Sequence, residues 1–244
     1  MEHGGSVYDH PEVFERYVRK RDASAFDPNH IMEEPAVLAE LGDPIGRRVV
    51  DLGCGDGAFG AILLAAGAAG YLGIDGSRTM VEQARRRLAD TDGRVVLGDL
   101  EDFTAPPGSA DLVTCRLALH YVEDVRPVLD AVAHCLTPGG RFVMTVVHPV
   151  ITAHDNRPDG PRTSWTVDHY FDPGPRTRPW FGSETLWHHR TVEHYVQALL
   201  HAGLTLTALR ECEPVPARFA NEPGELARRR RVPLYLLLRG DRPA

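Results

Sequence analysis

The chain has 244 residues, 43% hydrophobic and 25% charged, enough to bury the core of one ordinary globular domain. A formal net charge of -7 removes the electrostatic basis for a nucleic-acid or anionic-membrane partner, and the RRRR run at residues 228–231 reads as a local solvated face. Cys54, Cys115, Cys135 and Cys212 make neither a CxxC pair nor a disulfide framework, no basic-then-apolar leader opens the chain, and no apolar run reaches 18 residues. The expectation is a cytoplasmic protein whose thiols are buried and free.

Taken in chain order, short β-branched runs alternate with helical patterns from residue 49 onward. VVDL (49–52) predicts a first strand, and residues 58–66 a helix stopped at Gly67. YLGID (71–75) predicts a second strand, followed by a helix capped by Ser77, with Met80, Val81, Ala84 and Leu88 on one face. RVVLGD (94–99) and DLVTCRL (111–117) predict strands three and four. The next helix carries Val125, Val128, Leu129, Val132 and Leu136 and ends at TPGG, and GRFVMTVVH (140–148) predicts strand five. Residues 149–190 have no helical period and are rich in Pro, Gly and aromatics; so long a segment inside a domain is functional or disordered, and its rings argue for order. Thr191 caps a further helix closing at Gly203, and LTLTALREC (204–212) and VPLYLLLRG (232–240) predict an antiparallel pair at the sheet edge. The pattern is α/β: one domain over 1–244, with a doubly wound, Rossmann-like, mostly parallel sheet and an insertion after strand five.

VVDLGCGDGAFG (49–60) is the informative stretch. Gly53, Gly55 and Gly57 leave the main chain bare at the carboxyl end of strand one, where an open sheet binds its ligand. Asp75 ends strand two, where a carboxylate can accept from both ribose hydroxyls of a nucleoside, and Asp99 with Leu100 ends strand three beside the adenine position. The spacing is GxGxG, not the GxGxxG of dinucleotide sites, and Asp51 would repel a pyrophosphate; a nicotinamide-dependent oxidoreductase is the disfavoured rival.

These residues carry a resemblance. VVDLGCGDGAFG, YLGIDGS, VVLGDLEDF, ADLVTCRLALHYVED and LTPGGRFVMTVVHP, spread over residues 47–150, resemble the successive motifs of class I S-adenosylmethionine-dependent methyltransferases of the small-molecule type. The resemblance implies a seven-stranded sheet with an antiparallel last strand, S-adenosylmethionine as cofactor and S-adenosylhomocysteine as product. It implies that Gly53, Cys54 and Gly55 touch the methionine part, with Asp51 near its amino group. Asp75 would hold the ribose, with Gly76 and Met80 beside the nucleoside; Asp99 and Leu100 would hold adenine; Arg116 and Leu117 would lie beneath the sulfonium. Tyr17 and Arg21, in an N-terminal helical lid over 1–46, would cover the cofactor.

Methyl transfer from a sulfonium needs an aligned nucleophile and, for some acceptors, a base. His148 at the end of strand five and His120 after strand four are the candidate bases, each with a structural alternative as a hydrogen-bonded core histidine. The insertion (149–190) is the expected acceptor pocket, with Trp165, His169, Tyr170, Trp180, Trp187 and His188 as its lining; the other reading makes these rings the insertion's own small core. No spacing supports a metal. The expected reaction is transfer to nitrogen, carbon or oxygen of a small aromatic or heteroaromatic acceptor of secondary metabolism. The alternative is a cofactor-binding but non-catalytic partner subunit. Oligomeric state is left open, an aromatic insertion suiting a homodimer contact as well.

Overall fold

The structure is a computed structural model that describes residues 6–23, 27–153 and 164–244. The β-branched runs form β1 (Arg48–Leu52), β2 (Gly70–Asp75), β3 (Gly93–Leu97), β4 (Ala110–Arg116) and β5 (Leu136–Val147); β6 (Gly174–Trp180), β7 (Ser183–His189), β8 (Thr205–Arg210) and β9 (Tyr235–Asp241) come after them. Seven of these make one sheet, the number the resemblance implied, in the order β3-β2-β1-β4-β5-β9-β8. The first five strands run parallel, with Val50 opposite both Leu72 and Val113, and β9 lies antiparallel between β5 and β8. Alternation along β5 sends Phe142 and Met144 into one buried layer and Val143 into the other.

Helices α1 (Pro11–Ala23), α2 (Glu34–Leu41), α3 (Ala58–Ala65), α4 (Arg78–Arg87) and α5 (Val125–Cys135) precede the insertion; α6 (Pro149–Thr152), α7 (Val192–His201) and α8 (Pro223–Arg229) come after β5. Both expected caps are made: Ser77 Oγ accepts from Met80 N–H, and Thr191 accepts from His194 N–H. The amphipathic face of α5 buries Val125, Val128, Leu129 and Val132 against the sheet.

Three details differ from the sequence reading. α5 stops at its C-cap Leu136, directly before TPGG, but β5 begins earlier than the expected residue 140 and takes TPGG in, because Gly139 N–H and Gly140 C=O pair with the backbone of Arg242. The insertion contains a regular hairpin, β6 with β7, closed by Phe181 and Gly182 at φ 49° and 88°, a two-residue turn with both residues left-handed. The connection between β8 and β9 carries the short helix α8. All four cysteines are buried and free. No helix among the described residues is long and apolar enough to cross a membrane, and no metal-binding cluster of His, Cys, Asp or Glu occurs among them.

Candidate active site

The chain turns sharply after β1. Gly53 and Cys54 N–H both donate to Ile74 C=O, at 2.8 and 3.0 Å, which folds the loop across the end of β2. A Cβ on Gly53 would lie 2.4 Å from Ala118 Cβ, so only glycine fits; a Cβ on Gly55 would meet nothing within 4 Å, because that backbone faces a cavity. Asp75 completes the corner. Its Oδ2 accepts from Gly55 N–H at 2.8 Å and its Oδ1 from Ser77 N–H at 2.9 Å, yet burial raises the carboxyl to about 6 against those bonds. Each oxygen keeps a lone pair for a further donor.

One cavity of about 1200 Å³ runs from this corner to the insertion. Its first end is lined by Asp51, Gly53, Cys54 and Gly55, by Asp75, Gly76 and Met80, and by Asp99, Leu100, Arg116 and Leu117. Asp51 is fully buried and accepts from Tyr71 OH and Thr114 Oγ1, both at 2.7 Å, with burial still pushing its carboxyl up. Arg116 is not a free cation. Its guanidinium is paired with the buried Glu33 and with Glu34 and lies 4.1 Å over the Phe59 ring, while Thr145 Oγ1 donates to Glu33 at 2.6 Å. Leu117 takes φ 52°, a strained conformation for a branched side chain, held by its N–H donating to Thr145 C=O.

The second end is aromatic. Trp180 and Trp187 on the hairpin and Tyr121 after β4 line it, with Tyr8 and Tyr17 from the N-terminal segment and Trp165 from the insertion. Trp180 Nε1 donates to Tyr8 OH at 3.1 Å, and Trp165 Nε1 donates to Val150 C=O at 3.2 Å. His120, 2% exposed in the turn Leu119–Tyr121, sits among these rings, 4.5 Å from Tyr121 and 5.0 Å from Trp187. Its Nδ1 is buried and has no hydrogen-bond partner, and burial with the nearby Arg190 lowers the imidazole to about 3. His188 also lines the cavity and is likewise lowered by burial, with Arg190 adding to it.

Three candidates lie elsewhere. His148 is not among the lining residues: its Nδ1 accepts from Val150 N–H to cap α6, and its Nε2 meets Glu211 at 3.2 Å, outside hydrogen-bonding geometry. Val147 at the end of β5 lines the cavity, and His148, the next residue, is the N-cap of the helix that Pro149 starts. His169 is exposed and paired with Asp172 at 2.9 Å within the insertion, whereas Tyr170 OH accepts from Val192 N–H and ties the insertion to α7. Arg21 lies on α1, and its side chain falls outside the described residues, as do residues 154–163 of the insertion. The RRRR run is not wholly a solvated face, since Arg228 and Arg229 line the cavity and both pair with Glu225. Sequence reasoning missed Glu33, Tyr8 and Tyr121; only the acidic character of Glu33 beside an apolar pair, Ile31 and Met32, signalled a buried partner.

A doubly wound sheet with a bare glycine loop and a strand-two acid at its carboxyl edge defines a nucleoside-binding enzyme class. Residues 50–144 match the family model described as a methyltransferase domain. The crystal structure of an S-adenosylmethionine-dependent methyltransferase from Mesorhizobium loti is 36% identical, superposes with a TM-score of 0.81 and covers 91% of this chain and 99% of that one. An uncharacterized protein of Haemophilus influenzae is 31% identical over 218 residues, 84% of this chain and 85% of its own. A trans-aconitate 2-methyltransferase of Acidovorax sp. is 33% identical over 116 residues, only 47% of this chain and 44% of its own length. The chain belongs to the S-adenosylmethionine-dependent methyltransferases, enzymes whose methyl donor is that cofactor.

Proposed function

We propose that the protein transfers a methyl group from S-adenosylmethionine to an uncharged, planar small molecule held among Trp180, Trp187, Tyr121 and His120, with nitrogen the favoured nucleophile. The observation that carries this reading is the single cavity joining the glycine loop to the aromatic end. Its 1200 Å³ exceeds the ~300–1,000 Å³ of a site for one ligand, which suits a cofactor and an acceptor side by side.

The donor set fits the cofactor. The buried Asp75 carboxylate matches a ribose diol, Leu100 and Met80 offer apolar surface to a base, and Asp51, Glu33 and Glu34 give the floor a carboxylate excess suited to a cationic ligand. When bound, the cofactor supplies an activated methyl on a sulfonium. The chain has then to hold the acceptor in line and exclude water. The edge-on rings of Trp180 and Trp187, 5.8 Å apart, are rigid walls for that task. Such alignment is worth ~7–11 kcal/mol of barrier.

His120 supports the choice of nucleophile. An imidazole lowered to about 3 is neutral at pH 7 and accepts a hydrogen bond readily, but it is a poor proton acceptor. It can orient an amine, whose lone pair attacks before the proton leaves; a phenol would need a stronger base. Charge narrows the acceptor further. Among the described lining residues the guanidinium groups, Arg116, Arg228 and Arg229, are all paired with glutamates, and Arg190 behind the aromatic end is spent on the carbonyls of Val122 and Glu123. No cation is left among them to receive a tricarboxylate of the kind named for the Acidovorax relative.

The test is a methyl-transfer screen read by mass gain, with matched sets of planar amines, planar phenols and tricarboxylates. Transfer to members of the amine set is expected; transfer confined to tricarboxylates would reverse the charge argument, and transfer confined to phenols would remove His120 from the role of orienting an amine.

A further inference from the structure

Tyr8 and Asp9 are neighbours in the 3-10 turn Ser6–Asp9; Tyr8 lines the aromatic end of the cavity, whereas Asp9 lines a separate small pocket that shares Gly76 and Asp99 with the nucleoside end. Asp9 Oδ1 accepts from Ser77 Oγ at 2.6 Å and from Thr79 N–H at 2.9 Å, a second cap on α4 supplied from outside the helix. Ser77 N–H donates in turn to Asp75 Oδ1, and Asp75 Oδ2 takes Gly55 N–H. An unbroken run of hydrogen bonds therefore leads from the glycine loop to Asp9. Burial would raise the Asp9 carboxyl, but the bonds from Ser77 and Thr79 outweigh it and hold the group below its ordinary value.

The other side of the turn meets the hairpin. Tyr8 OH takes the Trp180 indole proton, the Tyr8 and Tyr17 rings meet edge-on at 5.1 Å, and Tyr17 meets Phe181 in the same way at 5.8 Å. Arg16 Nη1 adds a bond to Phe181 C=O at 3.3 Å. Successive Cα atoms are ~3.8 Å apart, so the anchor at Asp9 limits how far the backbone of Tyr8 can shift.

We propose that Asp9 is a positioning residue that couples the nucleoside end of the cavity to its aromatic wall, so that filling the first orders the second. The inference rests on the proposed placement of Asp75 against the nucleoside.

The experiment is hydrogen exchange of the full chain with and without saturating S-adenosylhomocysteine, on wild type, Asp9→Ala and Tyr8→Phe, together with calorimetric titration of each. In wild type the ligand should protect the loop at residues 53–57 and also the hairpin at 174–189. Asp9→Ala should weaken affinity about tenfold, the scale of losing hydrogen bonds to a charged group. At saturation it should keep loop protection and lose hairpin protection. Tyr8→Phe should bind within about twofold of wild type and lose hairpin protection alone, a separation that general destabilisation would not produce. Hairpin protection equal to wild type in ligand-saturated Asp9→Ala would overturn the coupling. A wild-type loop that the ligand does not protect would overturn the nucleoside assignment itself, and the coupling with it.

Discussion

The two histidines picked out as bases have different fates. His120 faces the rings of the cavity with an unsatisfied Nδ1, whereas His148 spends Nδ1 on the cap of α6 and turns Nε2 toward Glu211. His120→Ala should lower turnover by about 10²-fold, the scale of letting the reacting groups slip by ~1 Å. Affinity for S-adenosylhomocysteine should stay unchanged. His148→Ala should instead leave kcat near wild type and lower the melting temperature, since a cap costs ~1 kcal/mol. Steady-state kinetics and thermal melts of both variants check the contrast; a large kcat loss in His148→Ala would restore it as a catalytic candidate. Neighbouring side chains at a strand end point to opposite faces, so a residue at the right edge can still face away from the site. The pattern of β5 placed His148 at the correct edge, but its neighbour Val147 lines the cavity and His148 does not.

The alternation of β-branched runs and helical faces made β1 to β5 legible, along with the caps at Ser77 and Thr191, because each is a local signal. The β6–β7 hairpin was not legible. Its turn needs two left-handed residues, and only Gly182 advertises that; Phe181 at φ 49° does not. The pairing partners, Trp180 with Ser183 and Arg178 with Thr185, carry no alternation that survives the prolines at 175 and 179. Gly182→Ala should cost ~1–2 kcal/mol for a Cβ in that conformation. At this chain length each kcal/mol is worth about 2–4 °C of melting temperature. The hairpin carries Trp180 and Trp187, so acceptor turnover should fall with it while cofactor affinity holds. Calorimetric melts beside S-adenosylhomocysteine titrations would show this, and an unchanged melting temperature would mean the turn relaxes without cost.

Across the whole molecule the residues expected to hold the cofactor come together in one cavity because they cluster at consecutive strand ends, whereas its floor is assembled from distant segments. Glu33 comes from the π-helical turn Asn29–Glu33 and meets Arg116, a pairing with no local trace. Two titrations then act in opposite directions. Asp75 is raised by burial to about 6, so between the unfolded value of 3.8 and about 6 the folded state binds the extra proton; its contribution to apo stability is present below 3.8 and lost as pH rises through about 6. Asp111, held down to about 2 chiefly by its hydrogen bonds from Arg48, contributes stability above 3.8 that is lost as pH falls toward 2. From Asp75, the apo melting temperature is expected to rise from pH 7 to pH 5, while S-adenosylhomocysteine affinity drops over the same window as the carboxylate is neutralised. Melts and titrations at half-unit pH steps check both signs; affinity that is level from pH 7 to 5 would separate Asp75 from the ligand.

The chain contains three tryptophans, and Trp165, Trp180 and Trp187 all line the one cavity. Every indole is thus an optical probe of the same cavity. Intrinsic tryptophan emission therefore carries almost no background from the rest of the molecule, so a candidate acceptor can be recognised by quenching or a colour shift before any product is formed, without a label and without a mutation.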